Sequence, residues 1–270
     1  MEKNIIGFGI AGNFAHHLEQ AGESADFVDV EVDEADAPKG IFPTYVPQCE
    51  TFLGDFPFSS DKIVSIKGKN IQMEPEVGLL CDVSYDDGKI IRLNPTHFMA
   101  YNDCSIRVEG AKKISHKKNW GMDTKGVSKS LIMIDTFAEG GVMDGYSLSS
   151  FIRRDGEVIQ YGENSELLGY SYFYEKLEKW MIDKLNSQVD KGPLEDLSRL
   201  IEKAGQPEKL LISIGATRYT EFGEKHFLKK GDILYVVVYP HRQYSHEEVL
   251  LMIEGKAFKE GISLLTQEVV

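Results

Sequence analysis

The sequence predicts an α+β fold with mixed or antiparallel sheet, because segments typical of strands outnumber helical segments and do not alternate with them. Turn signals lie between several of the strand segments, whereas two later segments carry apolar residues at helical spacing. A chain of 270 residues is long enough for a well-buried core, and no linker, repeat or low-complexity tract divides it. We therefore expect one domain over residues 1–270, and the proline-punctuated residues 1–60 are a candidate for a smaller N-terminal subregion.

The strand segments lie mainly in the middle of the chain. Residues 76–82 lead through Asp86-Asp87-Gly88, a turn signal, into residues 89–93, and this pattern predicts a hairpin. Further strands are predicted over 130–134, 146–153, 210–214 and 233–239.

Three segments predict helices. From Phe173 to Leu185 the apolar residues fall on one helical face. Pro193 is expected to open a second helix that ends at Gly205. The capping box Ser245-x-x-Glu248 predicts a short helix near the C-terminus.

A glycine pattern near the N-terminus has two interpretations. Gly7-Phe-Gly9-Ile-Ala-Gly12 matches the G-x-G-x-x-G of dinucleotide-binding folds, with Asp29 or Glu31 at a suitable distance beyond it. However, the strand before it would be short, the helix after it would end at Gly22, and the strand–helix alternation of such folds is missing. We therefore interpret the pattern as a glycine-bounded turn into a short helix.

The composition excludes several classes of partner. The formal net charge of −13 argues against binding to nucleic acid or to an anionic membrane. Three cysteines without a Cys-x-x-Cys pair argue against a disulfide framework and a structural zinc site. Neither a signal peptide nor an apolar stretch of membrane-spanning length is visible, so we expect a cytoplasmic protein.

The predicted N-terminal helix carries a candidate general base. His16 and Glu19 are three residues apart and share a helical face, with His17 beside them. A carboxylate next to an imidazole fixes its tautomer and raises its basicity, as a general base requires. The alternative is a surface histidine beside a surface glutamate.

Three carboxylates form a candidate metal site. Glu74 and Glu76 point to the same face if the segment is extended, and two adjacent anions repel each other unless a cation lies between them. Asp103 supplies a third carboxylate, and Arg107 follows it by four residues. Such an oxygen set suits Mg²⁺, Mn²⁺ or Ca²⁺ rather than zinc. The alternative is a solvated strand face.

Five segments resemble motifs of the fumarylacetoacetate-hydrolase superfamily, in the same order and at compatible spacing over roughly residues 5–240. Glu74-x-Glu76 resembles the family's E-x-E-L metal-binding strand, and Asn102-Asp103-x-Ser105-x-Arg107 resembles its N-D-x-S-A-R segment. The other three segments are Gly12-Asn13-Phe14-Ala15-His16-His17-Leu18-Glu19, Asp155-Gly156-Glu157-Val158-Ile159-Gln160 and Phe227-Leu228-x-x-Gly231-Asp232.

The chain departs from the family's pattern at the acid–base dyad and the active-site lysine. The family's spacing selects His17 but then places Gln20 at the glutamate, whereas His16 with Glu19 keeps H-x-x-E at the cost of one deletion, and we favour this second pairing. The lysine best matches Lys125, with Lys129 as the alternative, and the proline run after it is missing. The late T-G-T-P segment matches residues 214–217. These departures indicate a divergent, bacterial-type subfamily.

The resemblance implies a mixed β-sandwich roll with a few peripheral helices, usually a homodimer. It implies Mg²⁺ or Mn²⁺ on Glu74, Glu76 and Asp103, with Lys125 and Arg107 adding positive charge. The His–Glu dyad would activate water. The expected function is hydrolysis of a C–C bond in a small acylpyruvate or diketo acid. The alternatives are a 2-oxo-acid decarboxylase, hydratase or isomerase on the same scaffold, and a non-catalytic metal-dependent binding protein.

Overall fold

The structure is a computed structural model that describes residues 4–27, 30, 32, 34–108, 110–255 and 257–270. Its strands are β1 Ile6–Ala11, β2 Gly40–Tyr45, β3 Phe58–Ser59, β4 Lys62–Ile63, β5 Ile71–Gln72, β6 Pro75–Asp86, β7 Lys89–Asn102, β8 Ser105–Ile106, β9 Lys125–Val127, β10 Ile132–Met133, β11 Tyr146–Arg154, β12 Glu157–Glu166, β13 Lys209–Ser213, β14 Ile233–Pro240 and β15 Ser263–Val269. Its α-helices are α1 His17–Gln20, α2 Tyr174–Ser187, α3 Leu197–Lys203, α4 Glu221–Lys225 and α5 His246–Gly255. Asp29 and Glu31 lie outside the described residues.

The strands form two large sheets and one short ribbon. The larger sheet has eight strands in the order β2-β1-β13-β6-β7-β9-β3, with β10 paired to β7. The second sheet has the order β12-β11-β14-β15-β4, and β5 pairs with β8. The pairs β1–β13, β3–β9 and β4–β15 are parallel and the others are antiparallel. The predicted α+β class with mixed sheet and few helices is therefore confirmed.

The β6–β7 hairpin is confirmed and is longer than predicted. Asp86 pairs with Lys89 across a two-residue turn. Asp87 and Gly88 both have positive φ, at 44° and 77°, as a type I′ turn requires. This hairpin sets the spacing of the site, because it places the start of β6 beside the end of β7.

The helix predictions are confirmed for two segments and need correction for one. Helix α2 buries the apolar face that starts near Phe173, and the α5 capping box is formed between Ser245 and Glu248, which exchange backbone-to-side-chain hydrogen bonds. Pro193 does not open α3. It lies in a turn before the helix, and Asp196 is the N-cap, since its carboxylate accepts a hydrogen bond from the Arg199 amide.

The two faces of the larger sheet carry different kinds of residue. Along β6, Val77, Leu79 and Cys81 face the main core, where they meet the second sheet. Burying each such side chain contributes roughly 1.5–3 kcal/mol. The intervening residues, beginning with Glu76 and ending near Leu80, face the opposite side. Alternation along one strand thus separates the packed core from the face that carries the carboxylates.

The glycine pattern at the N-terminus lies mostly inside a strand. β1 runs through Gly7 and Gly9, and the turn follows at Gly12, whose φ is 75°. A Cβ on Gly9 would stand 2.4 Å from the Phe42 ring, so this glycine lets a neighbouring side chain pack over the strand. The dinucleotide interpretation is thus not supported, because no helix follows the strand directly.

None of the helices among the described residues is long and apolar enough to cross a membrane.

Candidate active site

The three predicted metal ligands meet in one buried cluster. Glu74 precedes β6, Glu76 lies in β6, and Asp103 follows β7, so the hairpin brings them together. One oxygen of each lies within 4.8 Å of the others, and all three residues are at most 3% exposed. The Asp103 amide donates a hydrogen bond of 2.9 Å to the Glu74 carbonyl, which fixes the two segments against each other.

Three cations contact this cluster directly. Lys118 Nζ lies 2.6 Å from Glu74 Oε2 and 2.6 Å from Asp103 Oδ2, between the two carboxylates. Lys125 Nζ lies 2.9 Å from Asp103 Oδ1, and it also donates a hydrogen bond to the Cys104 carbonyl. Arg107 Nη2 lies 2.9 Å from Glu74 Oε1. The structure therefore brings the predicted Lys125 and Arg107 to the carboxylates.

A fourth carboxylate extends the network toward the N-terminus. Glu23 Oε1 lies 2.5 Å from Arg107 Nη1 and 2.9 Å from Lys117 Nζ. All three side chains are at most 10% exposed. Since buried charges are costly unless paired, this pairing is what allows four acids and four bases to share one interior region.

The network shifts the pKa values of its members in opposite directions. Burial raises the pKa of Glu74, but Lys118 and Arg107 overcome it and hold that pKa well below its usual range. Burial, and then Asp103, raise the pKa of Glu76 well above normal. Burial lowers the pKa of Lys125, and Asp103 opposes this effect only in part. Neighbouring charge and burial thus lower the pKa of one glutamate and raise the pKa of another within the same cluster.

His17 is held as a neutral base that faces the cluster. Its Nδ1 lies 2.9 Å from the Thr217 carbonyl, which can only accept, so Nδ1 carries the proton and Nε2 keeps its lone pair. Nε2 is buried, makes no hydrogen bond to the described residues, and lies 3.9 Å from Glu74 Oε2. Burial, more than any charge, lowers the pKa of His17 to about 4.

The loop at residues 214–217, which matches the family's T-G-T-P segment, contacts both the carboxylates and His17. The Gly215 amide donates a hydrogen bond of 2.8 Å to Glu76 Oε2, and the Thr217 carbonyl orients His17. The side-chain Nδ2 of Asn13, which precedes α1, donates a hydrogen bond of 2.9 Å to the Ile214 carbonyl. The helix and the loop are therefore fixed to each other beside the carboxylates.

The structure does not bring the other predicted residues to the cluster. His16 has φ 67° and is exposed, and Glu19 is exposed on α1. The favoured pairing of these two residues therefore points to solvent, because the left-handed turn at His16 directs His17 inward instead. Gln20, which occupies the family's glutamate position, exchanges hydrogen bonds with the Tyr219 backbone. Lys129 is exposed and lines a groove outside the cluster.

Sequence reasoning missed Glu23, Lys117 and Lys118. Glu23 lies in a short acidic segment that resembles a surface stretch, and no spacing rule connects it with Arg107. Lys117 ends a 3₁₀ turn, Ile114–Lys117, and Lys118 follows it; a turn this short has no periodicity to mark a buried face. Adjacent lysines are usually exposed, so burial of both, at about 2% exposure each, is visible only in the structure.

The carboxylate cluster fits a hard divalent cation. Asp103 Oδ1 and Oδ2 and Glu74 Oε1 are buried, and none accepts a hydrogen bond of normal geometry from the described residues. The neighbouring lysine and arginine nitrogens lie at ion-pairing distance without that alignment. Oxygen atoms with lone pairs to spare are the ligands that Mg²⁺ and Mn²⁺ prefer.

Glu195 anchors the segment that carries the missed lysines. It lies between α2 and α3 and accepts a hydrogen bond from the hydroxyl of Ser115, and its other carboxylate oxygen is buried without a hydrogen-bond partner among the described residues. Burial raises the pKa of Glu195 from 4.5 to about 7. The folded state therefore favours the neutral acid, and this contribution to stability is lost as the pH rises from about 4.5 through 7.

Glu195→Gln is therefore expected to stabilise the fold increasingly as the pH rises. The gain in the free energy of unfolding should be near zero at pH 4.5 and about 2 kcal/mol at pH 8, after allowance for partial exposure of the side chain. Urea unfolding of both proteins across this pH range measures it. Glu202→Gln on the exposed side of α3 is the control, and an equal pH trend in that variant would contradict the assignment.

Comparison with known proteins gives a family and a fold. Residues 23–269 match a family described as a family of unknown function, DUF5718. No curated protein matches the chain. Several solved structures do, each over 98% of this chain.

Three of these structures are enzymes of the fumarylacetoacetate-hydrolase superfamily. The first is 2-keto-3-deoxyarabinonate dehydratase, with a TM-score of 0.59, 14% identity and 73% of its chain covered. The second is 5-carboxymethyl-2-hydroxymuconate delta-isomerase from Mycobacterium smegmatis, at 0.55, 13% and 78%. The third is 2-hydroxyhepta-2,4-diene-1,7-dioate isomerase from Mycobacterium marinum, at 0.55, 13% and 74%. The chain therefore belongs to the DUF5718 family, and it shares the fold of these three enzymes.

Proposed function

We propose that the chain is a Mg²⁺- or Mn²⁺-dependent enzyme that cleaves a C–C bond of a small acylpyruvate or related diketo acid with water. One observation carries the proposal: a neutral histidine, His17, presents a buried lone pair to a cluster of three carboxylates. Such an arrangement joins a general base to a cation site within one closed space, as metal-assisted hydrolysis requires.

Glu74, Glu76 and Asp103 would hold the metal ion. When bound, the ion supplies a Lewis acid that stabilises negative charge on a 2-oxo group. The charges of the network favour a dianionic ligand. A bound cation would keep Glu76 ionised. Glu23, Glu74, Glu76 and Asp103 would then give −4, and Arg107, Lys117, Lys118 and Lys125 would give +4, so a divalent ion leaves +2. A carboxylate and a developing enolate together supply the two negative charges that neutralise it.

His17 performs the proton transfer in this proposal. Its Nε2 accepts a proton from water while the water oxygen attacks the acyl carbonyl carbon. The C–C bond then breaks, the electron pair remains on the 2-oxo acid as an enolate, and the proton held at Nε2 passes to the enolate carbon. The Thr217 carbonyl keeps the ring in one tautomer throughout, and Arg107 and Lys125 supply positive charge beside the developing anion.

A lyase or isomerase is the second candidate, and the same geometry supports it. A base that accepts a proton from water can also remove one from the carbon next to a carbonyl group. A solved structure of similar fold is named 2-keto-3-deoxy-D-arabinonate dehydratase complexed with magnesium and 2,5-dioxopentanoate, with a TM-score of 0.55 and 14% identity. Since one scaffold supports several reactions, only products separate the two candidates.

Thermal stabilisation by oxalate tests the shared part of both candidates. Oxalate imitates a 2-oxo acid, and we expect it to raise the melting temperature only when Mg²⁺ or Mn²⁺ is also present. Stabilisation by oxalate in the presence of chelator would contradict a chelating site. Product analysis with acylpyruvates, oxaloacetate and 3-deoxy-2-oxo acids then separates hydrolase, decarboxylase and dehydratase.

His17→Asn is expected to lower turnover about 10²- to 10⁴-fold, because it removes the basic nitrogen but keeps a short polar side chain. Oxalate binding with Mg²⁺ should change much less, since His17 is not one of the proposed metal ligands. Steady-state kinetics and calorimetry on the same preparations measure the two effects.

His16→Asn is the paired variant, because His16 is adjacent in sequence but exposed. We expect its turnover to stay close to that of the unaltered protein. A large loss in His16→Asn together with a small loss in His17→Asn would contradict the assignment and favour the solvent-facing pair.

A further inference from the structure

The face of the larger sheet that carries Glu76 continues past the carboxylates in two further rows of residues. Register across the sheet places Gly9, Ser213 and Gly78 side by side in the first row beyond Glu76. The second row contains Leu211 and Leu80. Leu80 lies four residues along β6 from Glu76, which corresponds to about 13 Å.

An apolar groove of about 490 Å³ begins at this second row. Its walls are mainly the apolar side chains of Ile5, Phe58, Leu80, Met99, Val127 and Leu211. Phe58, Met99, Val127 and Leu211 are each less than 9% exposed, so strands β3, β7, β9 and β13 build the groove wall from buried side chains. Its size and apolar walls match those of small-molecule sites.

Three buried hydroxyl groups lie in or beside these rows. Ser213 is in the first row, Tyr101 pairs with Glu76, and Thr44 Oγ1 lies 2.7 Å from where a Cβ on Gly7, the partner of Leu211, would stand. Thr44, Tyr101 and Ser213 are fully buried. The Tyr101 hydroxyl lies beside the Thr44 hydroxyl, and neither of them nor Ser213 Oγ makes a hydrogen bond of normal geometry to the described residues. A buried polar group without a partner is costly, and several on one face indicate a role outside folding. Each hydroxyl can donate to a ligand oxygen.

Tyr101 connects the two regions. It pairs with Glu76 across β6 and β7, so both side chains are on the same face. Its ring packs edge-on against Phe58 of the groove wall, with ring centroids 6.4 Å apart. The residues of the first row, Gly9, Ser213 and Gly78, have small side chains or none. The Met99 sulfur covers this row, since it lies 2.9 Å from where a Cβ on Gly78 would be. Passage along this row requires a rotamer change at Met99, and the flexible methionine side chain allows one.

From these contacts we infer that the groove is a second part of the binding site and takes the apolar tail of the ligand whose keto-acid head lies at the carboxylates. The hydroxyls of Thr44, Tyr101 and Ser213 donate hydrogen bonds to oxygen atoms between head and tail. The substrates are therefore keto acids with an extended, unbranched apolar chain. This inference rests on the proposed function, because it takes the carboxylate cluster as the site of the head group.

Calorimetry with a series of N-alkyl oxamates tests the inference in the presence of Mg²⁺. These compounds keep a chelating head, cannot undergo C–C cleavage, and differ in chain length from methyl through hexyl to decyl. We expect affinity to rise at least tenfold from methyl to decyl, because each added methylene that the groove covers removes apolar surface from water. Leu80→Trp fills the groove and should remove this gain while oxalate binds as before.

Ser213→Ala provides an independent measurement. It should lower kcat/KM for hexanoylpyruvate about tenfold without lowering the melting temperature, since it deletes a hydroxyl that has no partner in the fold. Ile91→Trp, on an exposed part of β7 outside the groove, is the matched control for Leu80→Trp.

The outcomes separate the inference from the proposed function. If oxalate binds and all the oxamates bind with the same affinity whatever their chain length, the groove assignment is overturned and the proposed function stays intact. Failure of oxalate and all oxamates to bind with Mg²⁺ would overturn both. A chain-length gain that survives in Leu80→Trp would place the tail elsewhere and also overturn the groove assignment.

Discussion

Asp103→Asn is expected to abolish the Mg²⁺-dependent stabilisation by oxalate and to lower turnover about a thousandfold or more. Asparagine keeps the shape of the side chain but removes the anion from the centre of the carboxylate cluster. A metal Lewis acid contributes several kcal/mol to a transition state, and each 1.4 kcal/mol corresponds to a factor of ten in rate. Calorimetric titration with Mg²⁺ and Mn²⁺ measures the loss of binding directly, without reference to any substrate.

Asp82→Asn is the matched control for this substitution. Asp82 also pairs with a lysine, Lys209, but both side chains are almost half exposed. An exposed pair contributes little to stability, so this variant should bind metal and turn over as the unaltered protein does. Retention of Mg²⁺ binding by Asp103→Asn would contradict the metal site, and equal losses in both variants would show a general effect of charge.

The sequence was sufficient for the parts of the fold and site that local rules determine. Two strand-like segments on either side of the Asp86-Asp87-Gly88 turn signal predict the hairpin, and the hairpin brings Glu76 close to Asp103. The family resemblance then identifies these carboxylates as one set, which matches the buried cluster. Short-range pattern and motif order therefore recover the fold class and the centre of the site.

The sequence did not predict the features of the site and of helix α3 that depend on contacts between distant residues or on local backbone conformation. His16 and His17 are adjacent, and one left-handed residue determines which of them faces the interior. Glu23 is 84 residues from its partner Arg107, and no periodicity relates them. The start of α3 was predicted at Pro193 because proline favours a first helical turn, but Asp196 supplies a better cap and the helix begins after it.

Lys118→Met is expected to destabilise the protein strongly in the presence of chelator and to make its stability depend on metal. Lys118 Nζ lies 2.6 Å from both Glu74 and Asp103, and its side chain is 3% exposed. Removing one partner of a buried ion pair costs about 3–5 kcal/mol, because the remaining charges stay buried. For a protein of this size that loss lowers the melting temperature by about 5–10 °C.

Mg²⁺ or Mn²⁺ should restore most of this loss, because a divalent ion at Glu74, Glu76 and Asp103 replaces the missing positive charge. Calorimetric titration should also show tighter metal binding by Lys118→Met than by the unaltered protein, since the ammonium group no longer competes for the same two carboxylates. Lys62→Met is the control, because Lys62 pairs with Asp123 at a half-exposed position and should change neither quantity. A melting temperature that falls in Lys118→Met and does not respond to metal would show that the lysine completes a purely structural ion network. Tighter metal binding would instead show that Lys118 and the metal ion compete for one position, which links the internal charge balance of the fold directly to its chemistry.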